Sequence, residues 1–415
     1  MPLCTLPIRG STISTPRRTF LCRSSMRGAS LAAVVITLFS GAAFAAQIVE
    51  IPFVPLSPAV MAQGGTSIAT AQGYDAFFSN PAGLSRGGGD FMLTSATSWI
   101  YARPDQLISR AMQLALGTTT SAATFNFINS QVTNGGFGGG WSYGVGYVRN
   151  GFGFGAAFIL DSLLYGQTLL GMTGDLTATL GFMGGLSVPF DVLGVKVHVG
   201  GDVRPMIRIH APITNSTAVS LVNALANGGD LAAALNSATA YYGSGIGFDL
   251  GAIAELGSFS FGLSIRDLGG TRFLYSSNTF GSVTGGLARG SFPAGGLVSD
   301  TYLIPMDVGV GISFHPDLGS VSYLVDPRIS ADFRNIVGAF DGSAVVWTLL
   351  HAGVEIRLLS IFTLGAGVNQ GYLTLGGGVK LSAFRLNMAV FTRELGVHLG
   401  DRPSSGMAFS ADVRI

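Results

Sequence analysis

The stretch Gly406–Ile415, GMAFSADVRI, alternates without a break. Met407, Phe409, Ala411, Val413 and Ile415 fall on one face of an extended chain, and Ser410, Asp412 and Arg414 on the other, because successive strand side chains point to opposite sides. An apolar face backed by an ionic one suits a wall strand of a transmembrane β-barrel, with lipid outside and water inside. Closing strands of such barrels usually end in an aromatic residue, and Ile415 departs from that habit. A half-buried strand of a soluble sandwich also alternates, so the rest of the chain has to decide.

Working back from the end, the same period recurs. Trp141, Tyr143, Val145 and Tyr147 alternate with Ser142, Gly144 and Gly146. Asn150-Gly151 then offers the two positive-φ residues of a type I′ turn. Phe152, Phe154, Ala156, Phe158 and Leu160 return against Gly153, Gly155 and Ala157. Aromatics on one face and glycine on the other read as lipid outside and lumen inside, which puts Phe154 and Phe158 toward lipid and Gly153 and Gly155 toward the lumen. A soluble core would need a second layer over the aromatic face, and no series of amphipathic helices supplies one. The pattern predicts about fourteen strands, near 90–101, 141–149, 152–160, 176–188, 194–208, 244–255, 258–267, 305–314, 328–336, 347–358, 361–369, 371–381, 383–392 and 406–415. An even number closes an antiparallel barrel with both ends on one side. Most links alternate between tight and long, as periplasmic turns and extracellular loops do. The link after the eighth strand is longer than that rule, and the one after the eleventh shorter.

Composition agrees. Only 11% of residues are charged and the mean hydropathy is +0.48. Past Phe44, however, no apolar run reaches the roughly 20 residues of a membrane helix. The 61 glycines fit a crowded barrel wall. Leu31–Phe44 has the length of a signal-peptide apolar region, preceded by Arg9, Arg17, Arg18, Arg23 and Arg27 and followed by Ala43-Phe44-Ala45. Cleavage is expected after Ala45 or Ala46, so residues 1–45 read as a signal peptide, with Met26 alone able to open one of conventional length. Cys4 and Cys22 both fall in that segment, leaving no thiol beyond it. Five of the 23 basic side chains and none of the 22 acidic ones lie there, so the remainder carries a net charge near −4. That charge excludes an electrostatic footprint for nucleic acid. The expected organisation is a signal peptide, a folded N-terminal segment over 46–89 and a barrel over 90–415, exported to the bacterial outer membrane.

Two long loops carry helical spacing, Gln106–Ala115 and Ala218–Ala240, the second broken at Gly228-Gly229. Their apolar faces must bury against one another, the barrel rim or a ligand.

Ahead of the first strand, Met61-Ala62-Gln63-Gly64-Gly65-Thr66-Ser67-Ile68-Ala69 leads to Asp75-Ala76-Phe77-Phe78-Ser79-Asn80-Pro81-Ala82-Gly83-Leu84. Here the chain resembles the FadL-type family of outer-membrane transporters for long-chain fatty acids and other hydrophobic compounds. Its C-terminal half, with Gly367-Val368-Asn369-Gln370-Gly371-Tyr372-Leu373 and Val390-Phe391-Thr392-Arg393-Glu394-Leu395-Gly396, looks closer to a spirochaete branch of that family. The resemblance implies a fourteen-stranded barrel plugged by an N-terminal hatch, inserted by the barrel-assembly machinery into outer-membrane lipid. It implies capture of a hydrophobic ligand by extracellular loops, a hatch shift and lateral exit through the wall. By the same carry-over, residues 61–84 would be the hatch, and Asn80, Pro81, Ala82 and Gly83 its turn. Turn chemistry agrees: Asn before Pro favours a turn and Pro81 fixes φ.

No loop motif carries ligand residues over. A fatty-acid carboxylate in a lumen needs a cation, and Arg offers a planar fork. Strand parity turns Arg204, Arg208, Arg334, Arg357 and Arg385 inward, yet Asp202, Asp332 and Glu355 share those faces and could satisfy them. The five histidines, His198, His210, His315, His351 and His398, are scattered without zinc-ligand spacing. No Ser–His or Asp–His pair is flagged, and neither catalysis nor a cofactor is expected. The rival to transport is a FadL-like barrel that docks or shuttles secreted or surface proteins.

Overall fold

The computed structural model describes residues 47–49, 57–115, 121–226, 229–298, 301–342 and 344–415. The expected signal peptide lies outside them. Fourteen antiparallel strands close into a barrel. They are β1 Asp90–Tyr101, β2 Phe137–Arg149, β3 Phe152–Tyr165, β4 Thr173–Val192, β5 Val195–Ile213, β6 Thr239–Leu256, β7 Phe259–Arg266, β8 Asp307–Phe314, β9 Val325–Phe333, β10 Leu350–Leu358, β11 Phe362–Asn369, β12 Tyr372–Leu381, β13 Phe384–Glu394 and β14 Pro403–Arg414. The β14–β1 pairing closes the ring, with Ser410 opposite Thr97. Among the described residues no helix is long and apolar enough to cross a membrane.

The two faces sort as expected. Phe154 is 53% exposed on the outer wall, whereas Asp412 is 3% exposed on the inner one. Asn150 and Gly151 both take positive φ, +53° and +81°, and Arg149 pairs directly with Phe152 across that turn. Two long loops fold as helices, Pro104–Ala115 and the pair Asn215–Ala226 and Leu231–Asn236. Four further loop helices, Ser121–Thr133, Phe280–Ala288, Ile336–Asp341 and Val346–Leu349, were not expected from spacing, and the last two take over the ends of the strands expected at 328–336 and 347–358.

The wall is irregular at one place. After Arg266 the chain leaves the sheet through Asp267–Gly270, where Asp267, Gly269 and Gly270 have φ of +50°, +73° and +80°. It then resumes as a strand, Thr271–Thr279, beside the first part of β6. The strand Thr301–Ile304 precedes β8, separated from it by Pro305-Met306, and pairs with Thr271–Phe273. β8 itself meets β9 only from Val310 to Phe314. Beyond Phe333, at the long-loop end, β9 no longer flanks this part of the wall. There Thr301–Leu303 pairs in parallel with Gln47–Val49. A strand from the N-terminus thus covers the edge of Thr301–Ile304 that β9 leaves unpaired, a seam in the wall.

Candidate functional site

Residues 57–89 lie inside the barrel and form three short helical turns, Pro58–Ala62, Gly73–Phe78 and Pro81–Ser85. None pairs with the wall as a strand. Instead, side chains from many wall strands reach its backbone.

The first anchor is the Gly64-Gly65 turn. Both residues have left-handed φ, +71° and +83°, and a side chain at Gly64 would run into the backbone of β10 and β11. The Gly64 amide donates to Thr374 Oγ1 at 3.0 Å, and its carbonyl oxygen lies 2.9 Å from His351 Nδ1. Asp332 accepts from the amides of Ser67 and Ile68 at 2.7 and 3.0 Å. Arg334 donates to the Gly65 carbonyl at 2.7 Å and to Ser67 Oγ at 2.6 Å. Gln63 Nε2 donates to Glu355 at 2.6 Å.

The second anchor is Asn80, fully buried. Its side-chain oxygen accepts from the Ala82 amide at 3.1 Å, which caps the Pro81–Ser85 turn. Its side-chain nitrogen donates to the Ile68, Ala252 and Leu263 carbonyls at 3.0, 3.2 and 3.1 Å. One carboxamide therefore joins two parts of the N-terminal segment to β6 and β7. Ser264 Oγ and Arg266 Nη1 add bonds to the Ser79 and Phe78 carbonyls at 2.6 and 2.9 Å.

A third set sits near the tight-turn end. Arg414 grips Asp75 through two bonds of 2.9 and 3.0 Å, and Arg86 Nε meets Glu255 at 2.7 Å. Tyr74 donates to the Ala156 carbonyl at 3.1 Å, and burial pushes its hydroxyl well above the ordinary tyrosine range, keeping it a neutral donor. The structure also brings together a pair that spacing had not flagged. Ser85 Oγ lies 2.6 Å from His198 Nδ1, with Glu255 3.7 Å from the other ring nitrogen. Ser85 is shared with Ser187 and the Ala82 carbonyl, Glu255 is held by Arg86, and His198 is 1% exposed. The group ties the segment to β4, β5 and β6.

Inner-wall glycines make this seating fit. A Cβ at Gly200, Gly251, Gly262, Gly353 or Gly367 would collide with the N-terminal segment. A Cβ at Gly153 would come within 3.0 Å of Phe77 and Leu84, and one at Gly155 within 2.9 Å of Tyr74.

Of the five inward arginines only Arg357 and Arg385 share a cavity. Arg204 is held by Asp249 at 2.9 Å and Asp267 at 3.0 Å, beside the irregular wall. Arg208 is buried and donates to Thr179 at 3.1 Å. Arg334 pairs with Asp332 at 3.0 Å, and Arg357 with Glu355 at 2.9 Å. Arg385 lines a cavity at the tight-turn end that Arg357 also lines. At the other end of the lumen an inward aromatic group flanks the seam. Tyr275 lies 4.6 Å from Tyr302 and 5.5 Å from Phe273, ring to ring, and Tyr241 lies 5.5 Å from Tyr302. Spacing did not reveal this group.

The chain is similar to several solved barrels. It matches the Ralstonia pickettii toluene transporter TbuX at 15% identity, over 86% of this chain and 97% of that one, with a TM-score of 0.45. The Pseudomonas putida toluene transporter TodX matches at 13% identity over 89% and 99%, with a TM-score of 0.43. A Pseudomonas aeruginosa FadL homologue matches at 12% identity over 86% and 97%, with a TM-score of 0.42. No protein-family model matches the sequence, and no curated protein does.

Proposed function

We propose that the chain is an outer-membrane channel for hydrophobic small molecules, long-chain fatty acids among them, in which residues 46–89 act as a hatch. The observation that carries this reading is the seam beside Thr301–Ile304, filled by Gln47–Val49 from the same N-terminal region that occupies the lumen. A wall strand zipped on both sides cannot part without losing a whole ladder of hydrogen bonds. A three-residue filler can leave at far smaller cost, and the lumen would then open sideways to lipid.

Capture begins at the loops, where Ile108 and Met112 stand exposed on the Pro104–Ala115 helix. The ligand passes the aromatic group of Tyr241, Tyr275 and Tyr302 and leaves through the seam when the hatch shifts. Side-chain bonds hold the hatch, so it can move while the wall keeps its own ladder. For a carboxylated ligand, Arg204, Arg334 and Arg357 are already committed to carboxylates, and Arg208 is engaged within the wall, which leaves Arg385 as the better candidate. The test is uptake of a fluorescent long-chain fatty acid into proteoliposomes. Wild type should exceed empty vesicles. No excess across fatty acids and aromatic hydrocarbons would sink the reading in favour of a docking barrel for secreted or surface proteins.

A further inference from the structure

Lys380 and Arg385 are direct partners across β12 and β13. Both point inward, because Leu381 and Phe384 beside them are exposed on the outer face. Both line a cavity of about 420 Å³ between the N-terminal segment and the wall, at the tight-turn end. Like charges placed directly opposite in a sheet repel one another, so such a pair normally has a carboxylate nearby to neutralise it.

Three of the four carboxylates that line this cavity are paired with other cations. Asp75 is taken by Arg414 through bonds of 2.9 and 3.0 Å. Glu355 accepts Arg357 at 2.9 Å and Gln63 at 2.6 Å. Asp326 meets His315 at 2.5 Å and Arg357 at 3.8 Å. Asp412, opposite Arg385 on β14, accepts from the neutral Ser95 hydroxyl at 2.8 Å, and as one carboxylate it can balance only one of the two cations. Among the described residues neither the Lys380 nor the Arg385 side chain makes a hydrogen bond or a close ion pair, and Arg385 Nε is buried without a partner.

We propose that Lys380 and Arg385 clamp an oxyanion, a carboxylate or a phosphate, that enters from the tight-turn side. The guanidinium fork can hold two oxygens while the ammonium supplies a point charge. The hydroxyls of Ser360 and Thr363 line the same cavity. Val60 and Phe78 leave part of its wall apolar, so the anion is either free in solution or the headgroup of an amphiphile. The clamp shares Arg385 with the ligand-carboxylate role proposed above, but its test reads binding and needs no transport, so the two can fail separately.

The experiment uses the whole barrel with its N-terminal segment, folded in uncharged maltoside micelles and titrated calorimetrically with phosphate, acetate and laurate. Wild type should bind at least one probe. Lys380→Gln and Arg385→Gln should each weaken it by about tenfold or more, as expected for a lost charged hydrogen bond. Equal binding of the small anions and laurate identifies a free anion; binding of laurate alone identifies a headgroup. No binding of any probe by wild type overturns the proposal. So does unchanged affinity in a double variant whose unboiled gel migration is native. Should Arg385→Gln fail to fold, Lys380→Gln carries the same test, because that side chain is exposed and belongs to no network.

Discussion

The side-chain oxygen of Asn80 occupies the space that a Cβ at Gly251 would fill. The N-terminal segment and the wall are therefore shaped to each other at the level of single atoms, and the fit rests on the one residue type that carries no Cβ. Gly251→Ala should leave the barrel closed, since an added methyl does not interrupt the β6 ladder. It should unseat Asn80, at an overpacking cost of about 1–3 kcal/mol. Single-channel recording should show raised conductance, whereas Gly184→Ala, with open space around it, should match wild type. Equal conductance in both would mean that the hatch tolerates displacement at this contact.

Asn80→Ala approaches the same joint from the other side. It strips the capping bond to Ala82 and leaves the Ala252 and Leu263 carbonyls without that donor. A buried group left unsatisfied costs about 1–3 kcal/mol. Limited proteolysis should then cut within residues 57–89 while the wall stays resistant. Unchanged resistance of that segment would show that the arginine and aspartate anchors hold it alone.

This joint marks the limit of what the sequence made legible. The fourteen strands were readable because period two survives along every wall segment, from Phe152-Gly153-Phe154 to Phe409-Ser410-Ala411. The continuation at Thr271–Thr279 was not, because Gly269-Gly270 reads as a loop and the pairing with β6 resumes only after it. The helix Ser121–Thr133 lacks a clear apolar stripe, so spacing could not flag it. Turn chemistry at Asn80-Pro81 was visible, but the reach of that carboxamide to Ala252 and Leu263 is a tertiary fact with no local signature. Inner-face glycines read correctly as lumen-facing, and their cause, the close passage of the hatch backbone, appears only in three dimensions.

Beside the irregular wall, Asp202, Asp249 and Asp267 face Arg204 and Arg266, leaving one carboxylate in excess. Asp202 is the odd member: neither of its side-chain oxygens has a hydrogen-bond partner, and its nearest arginine nitrogen is 3.8 Å away. Arg204→Gln should be costly, by about 3–5 kcal/mol, since it abandons two buried carboxylates. Asp202→Asn should leave the urea midpoint unchanged or raise it. A loss as large as that of Arg204→Gln would assign Asp202 a structural partnership.

On the outer wall, Phe154 lies between Tyr147 and Phe152, with ring centroids 5.8 Å from each. Phe154→Arg places a charge in hydrocarbon at about 2–4 kcal/mol if it sits near the midplane, while Phe154→Leu keeps the surface apolar. The arginine variant should assemble poorly into lipid vesicles, seen as loss of the fast-migrating unboiled band, and the leucine variant normally. Equal assembly would reverse the assignment of the faces.

The seam offers the sharpest test of exit. Val49 and Leu303 are register partners in the parallel pairing, and neighbouring strands lie about 4.8 Å apart, within reach of a disulfide. The native cysteines, Cys4 and Cys22, fall in the expected signal peptide, so a mature protein carrying Val49→Cys and Leu303→Cys would hold one thiol pair. Under oxidising conditions the filler strand is stapled to the wall. If ligand leaves sideways through this seam, uptake into proteoliposomes should drop to the level of empty vesicles and return on reduction. Each single-cysteine variant should transport normally in both conditions, which separates stapling from damage to the strand. Undiminished uptake by the oxidised double variant would reject the seam as the exit and leave a route past the hatch toward the tight-turn end. There the hatch anchors at Asp75–Arg414 and Arg86–Glu255 would have to part instead.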